Sequence, residues 1–168
     1  MFRVMRRKRQ QTTEAEALAI LDQAITGVLA VNGDQGYPYT IPVNYVLYQG
    51  KIYIHCAKEG HKKDAIERDA KVSFCVVDQD EIVPSKFATN YRSVVVFATA
   101  QFVTDDELRL SALRALNRKY AKDYSEAGED EIKKSWSAVA VIELTPQHIT
   151  GKKAGSNIQA AAQEQAGK

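Results

Sequence analysis

The chain has 168 residues, 45% hydrophobic and 26% charged, the make-up of one globular domain with its own core. No apolar run reaches the ~18 residues a membrane helix needs, no secretory signal is recognisable, and two cysteines, Cys56 and Cys75, are too few for a disulfide framework. A cytoplasmic protein with no membrane partner and no bound metal is therefore expected. The net charge of +2 comes from one end: residues 1–10 hold Arg3, Arg6, Arg7, Lys8 and Arg9 and no acid, and the rest carries 18 basic against 21 acidic residues. Such an acidic body argues against a nucleic-acid partner, which would need basic charge on the fold itself.

In chain order, residues 1–12 form a basic arm, read either as solvated or as lying near a neighbouring subunit or an anion. Thr13 and Glu16 have capping-box spacing, and Ala17, Ile20, Leu21 and Ala24 recur at helical intervals, with Gly27 expected to close the helix. Residues 28–31 read as a strand, and Asn32-Gly33-Asp34-Gln35-Gly36 as a hairpin turn. Residues 37–48 read as one long strand. It contains Pro38 and Pro42, so it belongs at an edge or carries a bulge. Gln49-Gly50 turns the chain into strand 51–54, which ends at His55.

A basic loop around Gly60 leads into a short helix over 64–69, then strand 71–77. Residues 78–91, with Pro84, read as irregular, and 93–103 as the longest β-run. Thr104 and Glu107 suggest the cap of a helix whose apolar face is Leu108, Ala112, Ala115 and Leu116. Residues 121–133 are polar, strand 137–144 follows, and 154–168, rich in Ala, Gln and Gly, is expected to be a loose tail. Six strands in hairpin succession with few, peripheral helices predict a mainly β fold, a small antiparallel barrel.

The chemistry-bearing residues are few. Gly60-His61-Lys62-Lys63 runs into a helix N-terminus, which could hold a phosphate through backbone N–H groups and a cation; a solvated polar turn is the other reading. His55, at a strand end, is either a hydrogen-bonded structural residue or a proton donor of near-neutral pKa. Cys56 reads as a small hydrophobe. Asn44, in an apolar strand, needs a partner if buried, either a cofactor edge or a backbone group. Asn90-Tyr91-Arg92-Ser93 carries the same ambiguity.

Taken together, "PYTIPVNYVLYQGKIYIHCAKEGHKKDAI", "YRSVVVFATAQFV" and "ITGKK" resemble the split-barrel flavoproteins related to pyridoxamine 5'-phosphate oxidase, in the branch of the nitroimidazole-resistance flavoproteins. The resemblance runs from about Met5 to Lys153 and makes 13–153 the flavin-binding domain. It implies a six-stranded antiparallel split β-barrel binding FMN, working as a homodimer with flavin at the interface. It implies cofactor contacts from Pro42, Val43, Asn44 and Tyr45, and from His55, Cys56, Ala57, Gly60, His61 and Lys62, the last three at the phosphate. Tyr91, Arg92, Ser93 and Val94, and Thr150, Gly151 and Lys152, are implied close to the site, from the same or the partner subunit. The Arg and Lys substrate clamp of the pyridoxamine oxidase proper is absent, so vitamin B6 oxidation is not implied. The resulting expectation is an oxidoreductase passing electrons from a nicotinamide to a small acceptor such as a nitroaromatic, with His55 as the catalytic candidate. A flavin- or haem-binding module without turnover is the alternative, and a deazaflavin could replace FMN.

Overall fold

A computed structural model of the chain describes residues 1–155, so the expected tail lies, from residue 156, outside the described residues. Helix α1 (Glu14–Gln23) starts at the Thr13–Glu16 capping box and ends at Ala24. Gly27 does not close it. It lies inside strand β1 (Thr26–Asn32), where an added Cβ would stand 2.0 Å from the Phe74 ring, so the absence of a side chain is what seats that ring.

The hairpin turn at 32–36 forms as expected and joins β1 to β2 (Pro38–Asn44), in register from Asn32–Pro38 to Thr26–Asn44. The long strand expected over 37–48 is two strands. Its chain breaks at Tyr45 and resumes as β3 (Val46–Tyr48), followed by β4 (Lys51–Ala57). Helix α2 (His61–Arg68) begins three residues before the expected start, which puts the basic residues inside its first turn.

Strands β5 (Lys71–Val83) and β6 (Ala88–Phe102) pair from Lys71–Thr99 to Val83–Ala88, so the stretch expected to be irregular is mostly a β-ribbon, with Pro84–Lys86 as its 3-10 tip. Pro84 falls at the tip, where no ladder hydrogen bond is demanded of it. Helix α3 (Asp106–Tyr120) is capped by Asp105, whose carboxylate accepts from the Leu108 N–H at 2.7 Å, rather than by Thr104. Most of the polar stretch after it is helix α4 (Ser125–Ser135), and β7 runs from Val139 to Ala154.

The seven strands form one antiparallel sheet in the order β2-β1-β5-β6-β7-β4-β3. The count exceeds the expected six because the break at Tyr45 divides one strand between the two opposite edges. The sheet therefore curls into a split barrel, and the prolines sit on the edge strand β2, as the missing N–H groups require.

Alternation along the strands makes two cores. Inside the curl, Leu29, Ile52, Ile54, Phe74, Val94, Val96 and Ile142 meet Ile20 and Leu21 of α1. On the other face of β3, β4 and β7, Val46, Tyr53 and Val141 pack under Leu113, Leu116 and Ile132 of the α3–α4 pair. The basic arm is tied to the body by an antiparallel bridge from Gln11 to Lys152 and by the Thr12 N–H donating to Gly151; Phe2 stacks on His148 and Phe97. Among the described residues no helix is long and apolar enough to cross a membrane, and no cluster of side chains suits a metal ion.

Glu143 is a buried charge in the second layer. Burial pushes its carboxyl pKa up, but hydrogen bonds from Lys51 (2.8 Å), Tyr53 (2.9 Å) and Gln101 (2.9 Å) outweigh that and hold it below the ordinary value. A depressed folded pKa stabilises above the unfolded value of ~4.3, and this contribution fades as pH falls through the folded pKa. Glu143→Gln should therefore cost about 1.5–3 kcal/mol at neutral pH, the scale of hydrogen bonds to a charged group, and the deficit should shrink in acid. Urea unfolding of both proteins at pH 7 and pH 3.5 measures this; an equal deficit at both would refute it.

Candidate functional site

The start of α2 provides an anion-binding geometry. Its N-cap is Gly60 at φ 121°, a conformation open to glycine, with no side chain capping the helix. Gly60 O accepts from the Lys63 and Asp64 N–H groups (2.8 and 3.2 Å), while the amides of His61 and Lys62 lie in the turn that has no intrahelical acceptor. The three basic side chains then diverge. His61 stacks on Tyr39 with ring centroids 4.2 Å apart and lies 3.3 Å from Asp34, turned toward the β1–β2 hairpin. Lys63 pairs with Glu67 one turn on. Lys62 alone of the three has no carboxylate among the described residues. That is the arrangement a phosphate requires: open amides, a close backbone approach and one uncommitted cation.

Strand β4 delivers His55 and Cys56 to opposite faces. His55 shares the Tyr53 face but is exposed, at the rim beside α3 and α4, while Cys56 packs against the barrel core with its thiol pKa raised by burial. Burial, and then the charge of Lys62, pushes the His55 pKa below its ordinary value, so the imidazole is neutral at pH 7. On β2, Pro42 and Asn44 face outward and Val43 packs inward. The Asn44 amide reaches only a 3.5 Å contact with the Ile25 carbonyl. Asn44 and His55 both border a cavity of about 380 Å³ walled by α3 and α4.

Three other expected site residues have structural surroundings. Tyr45 turns its whole ring into the core, edge-on to Phe74, with its hydroxyl donating to the Leu21 carbonyl. The Tyr45 side chain is therefore spent inside the core. Val94 is fully buried, and Gly151 lies beneath Thr12, with 2.0 Å between Thr12 Oγ1 and a Cβ placed there. Tyr91–Val94 and Thr150–Lys152 come together as paired strands, Ser93 facing Lys152 and Val94 facing Gly151. Lys152 lies over the Tyr91 ring, and Arg92 pairs with Asp78. This ladder does not border the cavity. Continued one residue past the Gly27–Val76 end of the β1–β5 ladder, the β-registers put Asn44, Thr26, Val77, Ser93 and Lys152 on one row across five strands, roughly 14 Å from Asn44 to Ser93 at the usual strand spacing.

Sequence reasoning missed Tyr120, Asn117 and Glu131, all of which border the cavity. Glu131 falls in the stretch read only as polar. Its signal was the helical recurrence of Gly128 and Ile132 against α3, which the charged residues around them obscure.

A family profile described as pyridoxamine 5'-phosphate oxidase matches residues 13–153. A comparison with curated protein sequences finds no match. Among solved structures, a conserved hypothetical protein from Mycobacterium tuberculosis superposes with a TM-score of 0.78 at 19% identity, over 89% of this chain and 90% of that one. A Bacteroides thetaiotaomicron protein provisionally assigned to 5-nitroimidazole antibiotic resistance gives 0.67 at 23% identity, over 83% of each chain. A FAD and heme binding protein from Mycobacterium smegmatis gives 0.70 at 20%, over 90% of this chain and 80% of that one. These likenesses establish the split-barrel fold.

His55 should titrate by NMR below the ~6.5 of a free imidazole. Replacing Lys62 with Gln should bring its pKa part of the way back up, the remaining depression being that of burial. An unmoved pKa in the variant would place Lys62 away from His55.

Proposed function

The chain belongs to the pyridoxamine 5'-phosphate oxidase family, and from that premise we propose that it is an FMN-binding oxidoreductase, taking electrons from a nicotinamide and passing them to a small organic acceptor such as a nitroaromatic. The observation that carries the reading is the start of α2, where Lys62 is the uncommitted cation beside open amides, adjoining the strand that holds His55. Two solved relatives support it: one is described as binding FAD and heme, the other is assigned to nitroimidazole resistance.

When bound, FMN supplies the redox chemistry. The chain's own residues position and insulate it. Lys62 and the His61 and Lys62 amides would hold the phosphate, and the pairing of His61 with Tyr39 and Asp34 and of Lys63 with Glu67 leaves Lys62 as the cation free to meet it. Asn44, weakly held by Ile25, offers its amide to the ring edge, with Pro42 beside it. His55, neutral at pH 7, donates or accepts one hydrogen bond at the reacting edge, and takes up a proton only at lower pH.

We also propose a homodimer. The outer face of β1, β5 and β6 leaves Val28, Val77 and Phe97 at 40%, 56% and 39% exposure, an apolar strip on the same face as the Asn44–Ser93–Lys152 row. A second copy seated there would bring polar groups toward the flavin and cover the strip. Light scattering should give about twice 18.7 kDa; a monomer that binds FMN stoichiometrically would overturn this arrangement.

The relative that binds heme favours one second reading, a flavin- or haem-binding module without turnover. The absorption spectrum of the purified protein separates flavin from haem, and anaerobic bleaching by NADH or NADPH separates enzyme from binder. Lys62→Ala should weaken FMN binding roughly tenfold or more, as fits loss of one charge-assisted contact of ~1.5–3 kcal/mol. Flavin fluorescence quenching measures it, and unchanged affinity in a folded variant would remove Lys62 from the phosphate site.

A further inference from the structure

The cavity between the α3–α4 pair and the open end of the sheet has preformed walls. The Arg114 guanidinium bridges α3 to α4 through two hydrogen bonds to Glu129, at 2.8 and 2.7 Å. Gly128 lets α4 approach so closely that a Cβ there would come within 2.5 Å of the Asn117 amide. At the far end of the pair Arg109 stacks on Trp136 at 3.6 Å. The volume, about 380 Å³, lies in the range of small-molecule sites.

The lining has a definite chemistry. Leu113, Leu116, Ile132 and Val139 form an apolar wall, and Asn44, His55 and Asn117 offer uncharged hydrogen-bonding groups. The Tyr120 hydroxyl also borders it, but its hydrogen bonds are spent on the backbone at Tyr45 and Ile25. No lysine or arginine lines the cavity. Its one charge is Glu131, whose carboxylate has no ion pair among the described residues; the Ser135 hydroxyl donates to the Glu131 backbone carbonyl.

We propose that this cavity is a binding subsite for a small single-ring organic molecule, uncharged or cationic, held by the apolar wall and selected against anions by Glu131. Its role as the subsite of the flavin's reaction partner rests on the reading above; the binding itself does not. The phosphate-holding charge sits on α2, outside this lining, so the chain separates an anion site from a cation-tolerant one. Phosphate esters and carboxylates are disfavoured because either would bring a negative charge into a partly apolar space beside Glu131, with no cation in the lining and Lys62 only beyond His55.

Benzamide, benzamidine and benzoate form a neutral, cationic and anionic set of one shape. Each is titrated into the full chain, with and without FMN, while the methyl NMR signals of Leu113, Leu116, Ile132 and Val139 are followed. Benzamide and benzamidine should shift these methyls and benzoate should not. Glu131→Gln should weaken benzamidine about two- to five-fold, the size of a solvent-accessible charge pair, and leave benzamide unchanged. Ser135→Phe, at the cavity wall, should abolish the shifts at the other methyls while the fold persists. Benzoate binding as well as benzamidine, or no shift with any probe, overturns the proposal. So does displacement of benzamidine by FMN, which assigns the cavity to the flavin itself. A chain that binds the two probes but never FMN defeats the flavin reading and leaves the subsite standing.

Discussion

The hydroxyl of Tyr120 holds the architecture at its weakest point. At Tyr45 the chain leaves one edge of the sheet and joins the other, so its backbone has no ladder partner. The Tyr120 oxygen accepts from the Tyr45 N–H at 2.9 Å and gives its proton to the Tyr45 or Ile25 carbonyl, at 2.7 and 2.6 Å. Leaving such groups unpaired would cost roughly 1–3 kcal/mol each. The Tyr45 side chain completes the anchor from the inside, between Phe74 and the last turn of α1. With the break fixed, one continuous segment supplies both edges of the sheet and the curl follows.

The candidate site lies where this curl leaves the sheet open. Asn44 is the last residue of β2 before the break, and no hydrogen-bonded ladder joins β2 to β4 or to the other edge strand, β3. A closed ladder there would consume the polar edge that a ligand needs. Helix α2 follows β4 after a short turn, and its first residue meets β2 at Tyr39 and the β1–β2 hairpin at Asp34.

Charge is distributed with the same economy. Of the basic cluster after β4, His61 and Lys63 are taken up by Tyr39, Asp34 and Glu67, and one cation is left for an anion. Across the opening the α3–α4 pair brings a carboxylate and apolar side chains instead. Tyr120 belongs to that pair as well, so the helices that wall the cavity also hold the strand break. A change in the cavity wall near Tyr120 is thereby coupled to the position of Asn44.

The sequence by itself determined a good deal. Prolines at 38 and 42 narrowed their strand to an edge or a bulge, Thr13 and Glu16 dictated the first helix, and the basic loop pointed to a helix after it, though three residues later than the observed start, because each is a local backbone demand. Similarity of order and spacing carried the family, which the profile match over 13–153 bears out. What only the tertiary structure decided was everything that depends on which residues meet across the fold. The sequence does not reveal that Tyr45 ends one edge and starts another, that Gly27 exists to seat Phe74, or that His61 lies against Asp34 and Tyr39. Nor does it reveal that Glu131 reaches the cavity beside His55, because that depends on α4 packing back on α3, and the residues between them are charged on the outside and small on the inside. Periodicity reports which face of an element is buried. It carries no record of what is buried against it, and that pairing is what makes a site.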